Sequence, residues 1–201
     1  MKIFTTLLRK VLQTAGTKPV IPKPVPKVAE GSVFFGKYLL ATNTISSGLL
    51  MIAGDLLVQE FEYQKGTLKE RYDWKRSGKM FIVGSIQGPL HHYFYAWMDK
   101  AIKVVSVANV TKKILLDQVI LSPVIILAFL YPAGWLNNQS TKECNEETVA
   151  KFGKIYAIDW CLWPPSQFIN FYYLDPKYRV IYVNFVTMIY NVFLSYIKYE
   201  K

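Results

Sequence analysis

The chain has 201 residues, room for one domain; 52% are hydrophobic and only 19% charged, below the usual share of about a quarter in soluble domains. Its formal net charge of +10 fits an anionic partner: nucleic acid, an anionic membrane surface or mitochondrial import machinery. Two cysteines, Cys144 and Cys161, form no CxxC and no ligand cluster, which argues against a zinc site and for two free thiols rather than one disulfide.

The first 35 residues read as a unit of their own. In "MKIFTTLLRKVLQT", Ile3, Phe4, Leu7, Leu8, Val11 and Leu12 fall on one helical face, Lys2, Arg9 and Lys10 decorate the rest, and no acid precedes Glu30. A basic, amphipathic, acid-free start has the character of a mitochondrial targeting segment. "KPVIPKPVPK" follows, Lys18 to Lys27. Its four prolines favour an extended polyproline II spacer.

Residues 36–201 read as a membrane domain. Four uncharged runs, Tyr38–Gly54, Met80–Met98, Gln118–Thr141 and Val180–Ile197, are each close to the ~20 residues that a bilayer crossing takes. Charged connectors separate them, and none has the charged face that a soluble helix shows. A fifth apolar stretch, Ile155 to Leu174, contains Asp159 and Pro164–Pro165. The expected fold is all-α: an integral membrane bundle of four transmembrane helices plus a shorter interfacial helix broken at Pro164–Pro165. With four spans both termini share a side. The basic residues then mildly favour placing that side toward the matrix or cytosol.

Polar residues within the runs fall on stripes, which in lipid must turn toward protein or a watery cavity. Helix packing and a solute path both fit. The candidates for a polar bundle interior or pore lining are Asp55, His92, Asp117, Gln118, Gln167, Asn170 and Asn184. Asp55 and Asp117 sit at ends of apolar runs, where a gate or an ion pair at the membrane edge is expected. Gly84 and Gly88 form a small-xxx-small pair for close helix approach. Pro89, Pro123, Pro164 and Pro165 remove backbone donors and are expected to act as structural hinges.

Catalytic chemistry finds little support. The sequence has no phosphate-binding glycine loop and no nucleophile elbow. The pair His91–His92 projects about 100° apart on a helix and so does not readily chelate one metal. No catalytic, cofactor or metal site is expected, and no enzyme activity.

"AGDLLVQ" (Ala53–Gln59), "RSGKMFIVGSIQGPLHHYFYAWMDK" (Arg76–Lys100), "KKILLDQVILSP" (Lys112–Pro123), "DWCLWPPSQFINF" (Asp159–Phe171) and "YRVIYVNFVTMIYNVFLSYIKY" (Tyr178–Tyr199) together resemble the Mpv-seventeen / peroxisomal membrane protein twenty-two family. The resemblance covers about residues 36 to 200 with the blocks in order. It implies a four-helix membrane bundle of the mitochondrial inner membrane or, alternatively, the peroxisomal membrane, associated with weakly selective channels and mitochondrial homeostasis. The wording of "TNT", "IDWCLWP" and "LSYIKY" looks most like one branch of the family. That branch is associated with assembly and stability of the mitochondrial ribosome, and so with mitochondrial translation. The implied partners are the lipid bilayer and the mitochondrial ribosomal large subunit with its RNA; a homo-oligomer and a structural scaffold stay open. The family's characteristic positions fall on Asp55, Gly88, Pro89, His92, Asp99, Asp117, Gln118, Pro123, Trp163, Pro164, Gln167, Asn170, Phe171, Arg179 and Asn184. Departures at Asp175–Pro176, Tyr190 and Phe193 are local.

Overall fold

The computed structural model describes residues 38–102, 106–173 and 176–199, so the N-terminal segment and the proline-rich linker, read as residues 1–35, lie outside the described residues. The described residues form helices and turns. In chain order these are α1 (Leu39–Gln64), α2 (Trp74–Ala101), α3 (Val107–Leu116), a π turn (Asp117–Leu121), α4 (Ser122–Leu136), α5 (Thr141–Tyr172) and α6 (Pro176–Tyr199). α3, the π turn and α4 run without interruption as one rod.

Helix starts are written in the sequence. Asp73 caps α2, its carboxylate accepting the Arg76 N–H at 3.0 Å, and Ser106 caps α3 through the Asn109 N–H at 3.2 Å. Ser140 and Glu143 form a reciprocal capping box on α5. The Ser140 backbone N–H, then its hydroxyl, hold the Glu143 carboxyl below the usual carboxylate range. The turn after α1 uses Gly66 at φ +72 and the turn after α4 uses Asn138 at φ 62, residues that enter the left-handed region at low cost.

Five rods alternate in direction. Lys79 donates to Asn137 at 2.7 Å and Lys151 to the Lys198 carbonyl at 2.9 Å, which gathers the α1–α2 turn, the α4–α5 turn and the end of α6 at one end of the bundle. The start of α1, the α2–α3 connection and the α5–α6 turn lie at the other. Residues 38 and 199 are therefore at opposite ends, whereas four spans would have put both termini on one side. The difference comes from α5, which runs the length of the bundle.

α5 also corrects the expected break. It is a continuous helix of 32 residues that passes through Pro164 and Pro165. The two prolines leave the carbonyls of Trp160 and Cys161 without their helical donors, and both of these residues lie on the exposed side. The opposite side is pinned: Ser122 donates to Asp159 at 2.7 Å and the Trp163 ring meets Tyr190 edge-on at 5.8 Å. Side-chain contacts on the buried face hold the helix where backbone bonds are missing. The other expected hinges also leave the helices unbroken: α2 passes through Pro89, and Pro123 is the second residue of α4. A second correction concerns the connector before Asp117, which sequence reading left as a charged link. Ser106 starts a helix there that leads straight into α4.

α1 and α2 pack closest. A β-carbon on Gly84 would lie 2.7 Å from the Ser47 carbonyl oxygen, and one on Gly88 2.7 Å from the Thr44 Cα, so the small-residue pair does bring the two backbones together. The apolar core, with Met51, Met80, Val83, Ile126, Phe129, Ile155 and Leu194, joins all the rods.

Candidate functional site

Polar groups are buried within the apolar core, while large apolar side chains are exposed on the outside. Asp55, Gln59, Gln118 and Ser195 are buried to within 1%, while Ile45, Leu49, Leu57, Ile82, Val119, Ile120, Val124, Leu127, Phe185 and Phe193 are exposed. Large outward apolar surface calls for lipid or protein cover. Two rods, Leu39–Gln64 and Val107–Leu136, are long and apolar enough to cross a membrane.

The buried polar groups form two knots. The first joins α1, α2 and α6. Asp55 accepts from Arg76 Nε at 2.8 Å, Ser195 Oγ at 2.6 Å, Ser77 Oγ at 2.9 Å and Gln59 Nε2 at 2.6 Å. Arg76 also pairs with Glu62 and lies over the Tyr199 ring at 3.7 Å. Each charge here has a partner of opposite sign and its hydrogen bonds are met. Of the two roles expected for Asp55, the ion pair is the one seen. This makes the knot a fastener between three helices.

The second knot joins α2, the π turn, α5 and α6. Tyr95 donates to Asp117 Oδ1 at 3.0 Å and Ser122 to Asp159 Oδ2 at 2.7 Å. The Tyr156 hydroxyl donates to the Gln118 carbonyl at 3.2 Å, which takes up an acceptor that the wide turn leaves off the regular helical ladder. Each hydrogen-bond partner of the two carboxyls is neutral. Consecutive residues on an α-helix diverge by about 100°, yet Asp117 and Gln118 are both buried. The π turn packs both inward.

The remaining expected residues are scattered. His92 Nδ1 meets Asn43 Nδ2 at 3.2 Å, a link between α1 and α2. Asn170 is buried and donates to Gln167 at 3.3 Å. Asn184 is exposed, away from both knots, because the polar stripe on α6 turns inward only at Asn191 and Ser195. The expected set therefore lines no single path. Arg76, Ser122 and Tyr190 were not anticipated. Asp159, the one acid in a long apolar stretch, was the signal that could have found the second knot. Both cysteines are free, Cys144 buried and Cys161 exposed. Among the described residues no group of three or more His, Cys, Asp or Glu could hold a metal ion.

Comparison with known proteins places this bundle. The model of the Mpv17 / PMP22 family matches residues 134–195, the stretch from the end of α4 to α6. PXMP2/4 family protein 2 of Dictyostelium discoideum is 33% identical over 165 residues, 81% of this chain and 86% of that protein. Mitochondrial inner membrane protein Mpv17 of Danio rerio is 31% identical over 165 residues, 80% of this chain and 90% of that protein. Peroxisomal membrane protein 2 of Bos taurus is 28% identical over 162 residues, covering 79% and 82%. No solved structure matches. Likeness at this level across nearly the whole of these relatives, joined to an all-helical bundle with buried polar groups and a broadly apolar exterior, means that the chain is a membrane protein and belongs to the Mpv17 / PMP22 family.

Proposed function

We propose that the chain is a mitochondrial inner-membrane protein that supports assembly and stability of the mitochondrial ribosome, and through it mitochondrial translation. In this reading α1, α2, the α3–α4 rod and α6 cross the bilayer. The apolar half of α5 returns the chain through the bilayer beside them, its polar first half projecting from one face.

The observation that carries this reading is a charge difference between the two ends. The end with the start of α1 receives a segment bearing Lys2, Arg9, Lys10, Lys18, Lys23, Lys27 and Lys37 against one acid, Glu30. Lys100, Lys112 and Lys113 lie at the same end. The opposite end sets Glu60, Glu62, Glu70, Asp73, Glu143, Glu146 and Glu147 against its own Lys and Arg, among them Lys65, Lys69, Arg71, Lys75, Arg76 and Lys79, and so is less positive. The positive-inside rule counts Lys and Arg and mildly favours turning the more basic end toward the matrix, where ribosomal RNA presents phosphates that Lys and Arg neutralise. Sedimentation of mitochondrial lysate with and without the protein tests it. A fall in assembled large subunit is expected, with co-sedimentation of the protein weakening steeply as salt rises. Unchanged subunit profiles would sink the proposal.

A weakly selective channel is the second reading, favoured by Asp117 and Asp159 in the interior. Purified protein in planar bilayers should then conduct, and Asp117→Asn should change ion preference.

A further inference from the structure

We propose that Asp117, Asp159 and Gln118 form a binding site for one monovalent cation, taken as a proton or as an alkali-metal ion. The inference rests on neither functional reading above. It starts from an excess of oxygen acceptors over donors in the second knot.

Asp117 receives one hydroxyl donor, from Tyr95, and Asp159 receives one from Ser122. The Gln118 side chain faces both carboxyls. It is 1% exposed, yet its Oε1 has no hydrogen-bond partner. The Tyr190 hydroxyl is also buried and turned toward Asp159, without a hydrogen bond of good geometry. Two buried carboxyls thus lie beside a side chain with an orphaned amide oxygen, and among the described residues no guanidinium or ammonium pairs with either carboxyl. The first knot supplies Arg76, shared between Asp55 and Glu62; this one supplies no such cation to its two carboxyls.

Buried carboxylates need a counter-charge or a proton. One bound cation eases both deficits, because it offsets one of the two negative charges and gives the Gln118 oxygen a proton to accept or an ion to ligate. An all-oxygen donor set suits a hard ion. The π turn makes the site by holding Asp117 and Gln118 inward together, consistent with the frequent placement of such turns at functional sites. Among the described residues, the titratable groups around the pair are His91 and Tyr95 on α2, Tyr156 on α5, Tyr190 on α6, and Lys113 one turn before Asp117.

The test uses the full chain in nanodiscs. Its thermal midpoint is measured in choline chloride across a pH series, then with sodium or potassium replacing choline at constant ionic strength. An alkali-metal site raises the midpoint on replacement, by about 2–4 °C. A proton site raises it by a similar amount as pH falls, without alkali dependence, and gives an infrared band of a protonated carboxyl. Either shift should vanish in Asp117→Asn and in Asp159→Asn and persist in Glu143→Gln. Should a variant fail to fold, the wild-type infrared spectrum decides: a protonated-carboxyl band, or a carboxylate band that moves on adding sodium or potassium, supports the site. A wild-type midpoint indifferent to both ions, or a shift that survives both Asp substitutions, overturns it.

Discussion

The two polar knots solve one problem in opposite ways. Around Asp55, burial of a carboxylate is matched by a guanidinium at 2.8 Å and three further donors. Around Asp117 and Asp159, two acids are met by neutral hydroxyls, and an acceptor stays open. In the first arrangement the charge and hydrogen bonds of the Asp55 carboxylate are met within the chain, which fits a fastener. The second is complete only with something added, and fits a site. Burial alone does not separate these cases, since both are deep; the sign and count of the partners do.

The largest effect should come from breaking the complete knot. Arg76→Ala leaves Asp55 buried without its counter-charge and Tyr199 without its stacked partner, and should cost about 3–5 kcal/mol, read as a lowered unfolding midpoint in detergent. Asp117→Asn is the contrasting change. It removes a charge that no residue pairs, so stability should be held or raised; a loss as large as that of Arg76→Ala would erase the distinction between the knots. Gly88→Leu sharpens the comparison from the backbone side. It should push α1 from α2 near Thr44 and cost about 1–3 kcal/mol by overpacking. Tyr95, two turns on, should lose its hold on Asp117 while the Asp55 knot keeps its bonds, which hydrogen exchange along α2 would show. Ser140→Ala should have the smallest effect, about 1 kcal/mol, and should leave both knots unchanged in the same exchange experiment.

Much of this was legible in the sequence, for physical reasons. The uncharged runs marked helices because hydrocarbon excludes charge, and Gly84 and Gly88 marked the close crossing because only small residues permit it. Of the polar stripe Thr44, Ser47, Gly48, Asp55 and Gln59 on α1, Gly48, Asp55 and Gln59 are buried and Thr44 and Ser47 half-buried. What was not legible depended on contacts between distant segments. Arg76 sits in a charged connector by sequence and reads as a surface residue; only its approach to Ser195, 119 positions away, shows it is buried. Helical phase is lost across a π turn, so no regular period could have put Asp117 and Gln118 on one side. The double proline misled because local propensity was weighed without the packing of Trp163 on Tyr190 and of Asp159 on Ser122.

The alternation of five rods has a practical consequence. On the proposed reading, in which the rods cross the bilayer in turn, residue 38 and residue 199 emerge at opposite faces, and reporters fused before α1 and after α6 would sit in different compartments. A pH-sensitive fluorophore at each terminus would then report two different aqueous phases from a single molecule, and a protease added to one side would clip one tag and spare the other.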